Sequence, residues 1–98
     1  MNIWALKKDI PLKLLLLELV NRYGEKGVAL NNTEQNFQAI DIHLPVEPKL
    51  SAYIYTFGQT QGLYGIDLRY PITTNNIVGE NENLTLEQTI GIVTTHLF

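Results

Sequence analysis

Apolar residues recur along this chain with two different periods, and the change of period sets out its elements. From Asp9 to Gly24 the spacing is helical. Leu12, Leu15, Leu16, Leu19, Val20 and Tyr23 share one face at about 100° per residue, as an amphipathic helix requires. Asp9 before Ile10-Pro11 is a helix start, since Asp accepts free N–H groups and Pro is tolerated in the first turn, and Gly24 is the stop. Leu14 and Leu17 fall on the opposite side beside Asn21, so this helix carries more apolar surface than one sheet covers. Two covers are open: the Ile3-Trp4-Ala5-Leu6 segment folded back, or a second subunit.

From residue 37 the period becomes two. Phe37 to Leu44, Leu50 to Phe57 and Leu63 to Tyr70 are rich in β-branched and aromatic residues and predict a three-stranded antiparallel meander. A short strand at Gly27 to Leu30 is a fourth candidate. The connections are Pro45 to Lys49 and Gly58 to Gly62. If each is a five-residue loop, Leu44 faces Leu50 and Phe57 faces Leu63. Ile40, Ile42, Leu44, Ala52, Ile54, Thr56, Tyr64, Ile66, Leu68 and Tyr70 then share the core face. A one-residue slip in the second hairpin would instead bring Tyr53, Tyr55 and Phe57 to that side.

Pro71 ends the third strand. Residues 72–83 read as an Asn-rich connection, with a possible short strand at Ile77 and Val78 and mobility expected from Gly79 to Asn83. Thr85-Leu86-Glu87-Gln88 fits a capping box. It opens a C-terminal helix whose stripe is Leu86, Ile90, Val93 and Leu97, although the β-branched residues and Gly91 weaken helix against strand. The fold class is therefore α+β, one domain over residues 1–98, with the N-terminal helix on one face of the meander.

Composition narrows the function classes. The 98 residues are 45% hydrophobic and 17% charged, the balance of a globular chain. With no cysteine there is no disulfide, thiolate metal site or cysteine nucleophile, and a cytoplasmic location is the default. Lys7 and Lys8 before the leucine run imitate a signal peptide, but Asp9, Lys13 and Glu18 interrupt it; no apolar stretch spans a membrane. The Asn-X-Thr triplets at Asn31 and Asn83 matter only in a secreted chain. Net charge is −3, and the cations Lys7, Lys8 and Lys13 form only a small patch, which argues against nucleic acid.

The odd-numbered face of the meander is the candidate site. The register sets His43, Ser51 and Arg69 in one cross-strand row, Asp41, Tyr53 and Asp67 in the next, and Ala39, Tyr55 and Gly65 in a third, with Tyr55 covering the bare glycine. A catalytic reading has His43 activating Ser51, oriented by Asp41 or Asp67, with Arg69 on an anion. Against it, a flat strand supplies no oxyanion hole. His43, His96, Asp41 and Asp67 lack metal-ligand spacing, and His96 suits the negative end of the last helix. No cofactor motif is present. If exposed together, Tyr53, Tyr55 and Phe57 suit an interface, because aromatic residues are enriched at interface centres. The alternative is that the C-terminal helix or residues 72–78 cover this face within the monomer and make these residues core. The expectation is a non-catalytic interaction or regulatory module, a homodimer or bound to a partner protein, binding through His43, Ser51, Tyr53, Tyr55, Asp67 and Arg69, with Trp4, Leu14, Leu17 and Phe57 as interface residues. A small enzyme or small-molecule domain on the same face is the alternative.

Overall fold

The computed structural model describes residues 2–71 and 81–98. The elements run in the order 3-10 helix Ile3–Ala5, α1 Ile10–Tyr23, β1 Ala29–Leu30, β2 Ala39–Leu44, β3 Glu47–Tyr55, β4 Gly65–Arg69 and α2 Leu86–Leu97. The expected α+β class holds. The strands form one antiparallel sheet in sequence order, β1-β2-β3-β4. Ile77 and Val78, where a short strand was considered, lie outside the described residues.

Local chemistry accounts for the ends of α1. Asp9 accepts the Ile10 N–H on its side chain, and Gly24, with φ 83°, closes the helix where a Cβ would be strained. The other carboxylate oxygen of Asp9 accepts the Thr56 hydroxyl at 2.9 Å, and the Asp9 N–H donates to the Phe37 carbonyl. One residue thus caps a helix and ties it to the segment leading into β2 and to the residue that follows β3.

The even-numbered face is the core. Ile40, Ile42, Ala52, Ile54 and Ile66 are essentially inaccessible, as are Leu12, Leu15, Leu16 and Leu19 of α1. α2 is a helix, opened by the capping box between Thr85 and Gln88. Its Ile90, Val93 and Leu97 join the same cluster, so tertiary burial outweighs the poor propensity of its β-branched run. Both helices therefore cover one side of the sheet.

The N-terminal segment does fold back on α1, but by Ile3, which is buried, while Trp4 stays exposed. Leu17 packs partly against the core and Leu14 remains exposed.

The first hairpin corrects the expected five-residue loop. Leu44 partners Glu47 across a two-residue Pro45-Val46 turn, and the register shifts before His43 meets Ser51. Pro48 has no N–H to continue the ladder, and Pro48, Lys49 and Leu50 form the bulge. Extended unaltered, the Leu44–Glu47 pairing would turn Tyr53 and Tyr55 toward the helices. The bulge restores the parity, and every expected pair from His43–Ser51 to Ala39–Tyr55 is formed.

In the second hairpin the ladder ends at Tyr55–Gly65, so the Phe57–Leu63 pair is not part of it. The connection is nevertheless braced: Thr60 N–H donates to the Asn83 side chain, and Asn83 N–H donates to Gln59 Oε1 at 2.6 Å. Tyr64 bridges Leu84, and Ile66 N–H donates to the Asn81 carbonyl. Of the stretch expected to be mobile, Asn81 thus meets β4 and Asn83 meets the 59–60 turn, while Gly79 and Glu80 lie outside the described residues.

Candidate functional site

The three cross-strand rows form as the alternation requires. β3 sits between β2 and β4, so its odd residues occupy the middle of the face: Ser51 between His43 and Arg69, Tyr53 between Asp41 and Asp67, Tyr55 between Ala39 and Gly65. The Thr56 N–H donates to the Gln38 carbonyl, which carries the pairing one step further and sets Phe57 across from Phe37.

Along the middle strand the rings make a continuous strip. Tyr55 stacks on Phe57 with centroids 4.6 Å apart, and Tyr53 tilts against Tyr55 at 6.0 Å. Gly65 is required beneath it, because a Cβ there would lie 2.3 Å from the Tyr55 ring. The Arg69 guanidinium carbon stands 4.9 Å from the centre of the Tyr53 ring, a cation–π arrangement that closes the strip at its other end.

Arg69 also reaches across β3 to Asp41, and small Ser51 leaves that route open. Its Nη1 donates to Asp41 Oδ2 at 3.1 Å, and Asn31 Nδ2 donates to the same oxygen at 3.3 Å. Asp41 is buried whereas Arg69 is about 41% exposed, so the pair is half-screened by solvent. Among the described residues Asp41 Oδ1 has no hydrogen-bond partner. A buried oxygen left in this state makes the Arg69 and Asn31 contacts to its twin more consequential.

The rings themselves resist ionisation. Burial first, then the Glu34 carboxylate, push the Tyr53 hydroxyl up from its ordinary value, with Arg69 opposing. The Tyr55 hydroxyl is raised by burial and then by Asp67 and Glu82, and it donates to Glu82 Oε1 at 3.5 Å. Both tyrosines are neutral hydrogen-bonding rings at physiological pH.

The catalytic constellation does not assemble. His43 Nδ1 donates to the Leu44 carbonyl at 2.8 Å, and no hydrogen bond joins His43 to Ser51 among the described residues. Asp41, one of the two carboxylates considered as the orienting group, is bonded by Arg69 and Asn31, and Asp67 sits opposite Tyr53, a row away from His43 and Ser51. His96 does not serve the end of its own helix: its Nε2 donates to the Ser51 carbonyl and its ring meets Tyr70 edge-on. Among the described residues no group of three or more His, Cys, Asp or Glu is placed to hold a metal ion.

The expected interface residues divide between two sides. Phe57 belongs to the odd-face strip, while Trp4 and Leu14 belong to the outer side of α1, beyond the core. Sequence reasoning missed Asn31, Glu34 and Glu82, which come from loops whose approach to the sheet no local pattern encodes. It also missed a cleft between α2 and β4, signalled only by Gly91 in an otherwise helical stripe.

Taken together, fold and site define a two-layer α+β domain with one face of its sheet covered by helices and the other bearing an aromatic strip. No family model matches the chain, and neither a curated protein nor a solved structure matches it.

Proposed function

We propose that this chain is a non-catalytic interaction module of the cytoplasm that self-associates through the odd-numbered face of its sheet. One observation carries the reading: α1 and α2 both pack on the even face, so no helix among the described residues covers the strip of Tyr53, Tyr55 and Phe57. Phe57 is exposed, Tyr53 is half-buried and Tyr55 is buried between them, and aromatic rings in a rigid row are the kind of surface that interfaces bury at low entropic cost.

The charges favour a second copy as the partner. Arg69 lies over Tyr53, whereas Asp67 and Glu82 flank Tyr55. A two-fold axis crossing the strip between these rings sets the cationic end of one copy against the acidic end of the other, the self-complementarity that an isologous dimer needs. No helix among the described residues is long and apolar enough to cross a membrane, and the absence of cysteine is compatible with a reducing compartment.

Sedimentation equilibrium tests the proposal. The expected result is a concentration-dependent dimer that weakens with added salt and is weakened at least tenfold by Phe57→Lys, a substitution at an exposed ring outside the ladder. A strict monomer at several hundred micromolar contradicts it, as does a dimer that Leu14→Lys dissociates and Phe57→Lys does not.

A further inference from the structure

On the other side of the sheet, a cleft of about 600 Å³ opens between α2 and the end of β4. Leu68 and Tyr70 form its sheet wall, with Leu84 at the edge and Ile92 on the helix. Its size falls in the range of small-molecule sites, and its apolar walls carry only a few polar groups, the usual make-up of such sites. Its described lining carries no charged side chain to pair with an ion.

Gly91 is the telling residue. It lies inside α2 without a positive φ, and a Cβ built on it meets nothing within 4 Å. Neither backbone conformation nor packing therefore demands glycine, although glycine within a helix costs about 0.5–1 kcal/mol relative to alanine. Its structural effect is to leave the helix wall of the cleft bare.

The wall opposite is held in place. Tyr70 and His96 meet edge to face with centroids 4.9 Å apart, and His96 Nε2 donates to the Ser51 carbonyl at 2.9 Å. A carbonyl only accepts, so in the neutral imidazole Nε2 carries the proton and Nδ1 is the acceptor. The Thr95 hydroxyl donates its proton to the Gly91 carbonyl, and Gln88 Oε1 accepts the Thr85 N–H at the cap of α2. A ligand here meets an aromatic and aliphatic surface with an imidazole acceptor at its margin.

We infer that the cleft bordered by Gly91, Tyr70 and His96 binds a small uncharged aromatic molecule that carries an N–H or O–H donor. This site shares no wall with the odd face and stands independently of the self-association proposed for it.

Indole is the probe. Titrated into the full chain and followed by heteronuclear NMR, it should give saturable shifts at Tyr70, Gly91, Ile92 and His96. 1-Methylindole, which lacks the donor, should bind about tenfold more weakly, as expected when a site loses a hydrogen bond. Gly91→Leu, which fills the cleft, should weaken indole at least tenfold, and Gly91→Ala should weaken it by a smaller factor while keeping the fold. The absence of saturable shifts at about 5 mM indole, shifts centred on Tyr53 and Tyr55 instead, equal affinity for 1-methylindole, or an affinity unchanged in Gly91→Ala and in a folded Gly91→Leu would each overturn the inference.

Discussion

The two faces of this sheet are built from alternate residues of the same strands, and they have opposite fates. Even positions carry Ile, Ala and Leu against two helices; odd positions carry rings, charges and small residues with no helix among the described residues over them. The difference shows how a sequence can hold a fold and a surface in one strand. Parity assigns each residue to one task or the other, and a single irregularity, the bulge at Pro48 to Leu50, keeps the two from exchanging.

The contrast is sharpest in stability. Leu16→Ala or Ile54→Ala, each removing a fully buried side chain, should cost about 2–5 kcal/mol, whereas Phe57→Ala should change stability by less than about 1 kcal/mol. Urea denaturation measures both; a loss at Phe57 equal to that at Ile54 would mean the strip is core.

Next in size comes the pair that crosses the odd face. Arg69→Ala removes a charged donor from buried Asp41, whose other oxygen has no partner among the described residues, and should cost roughly 2 kcal/mol. A double-mutant cycle with Asp41→Ala isolates the coupling, and additive losses would show that the contact contributes nothing.

Gly65→Ala should destabilise by about 1–2 kcal/mol because the new methyl group meets the Tyr55 ring. Tyr55→Ala in the same chain should recover part of that loss. Denaturation of the single and double variants decides it.

Alkaline pH probes the junction of helix and sheet. Tyr64 donates to the Pro11 carbonyl at 2.7 Å, and burial, reinforced by Asp9, raises its hydroxyl to about 12. Because the folded value lies above the unfolded one, near 10, its contribution is intact below pH 10 and falls away as pH rises to about 12. Stability should decline over that window, and Tyr64→Phe should decline less steeply.

The smallest effect tests the helix wall of the cleft. Gly91→Ala should stabilise the chain by about 0.5–1 kcal/mol, the ordinary helix gain with no steric conflict, which a shift in thermal midpoint would register.

Most of the architecture was legible because it rests on short-range regularities. Alternation from Ala39 to Tyr55 names the core face, Asp9 and Thr85 announce their helices, and the register at Tyr53 follows from parity. What escaped depends on encounters distant in sequence. That Asn31 would reach Asp41, Glu82 would sit beside Tyr55, and α2 would choose the face already taken by α1 are outcomes of packing, not of local pattern. The Pro45-Val46 turn escaped for another reason: two-residue and five-residue loops suit the same residues, and the bulge made their consequences identical beyond Ser51. Rows of His43, Ser51 and Asp41 were readable as neighbours, but hydrogen bonding within a row depends on rotamers and on competitors such as the Leu44 carbonyl.

The central claim is that the sheet face opposite the two helices meets its own copy. Isotope-filtered NMR on a mixture of labelled and unlabelled chain, at a concentration where association is populated, observes contacts between copies alone. The account predicts intermolecular contacts among the rings of Tyr53, Tyr55 and Phe57; contacts confined to Trp4 and Leu14, or none at all, would contradict it.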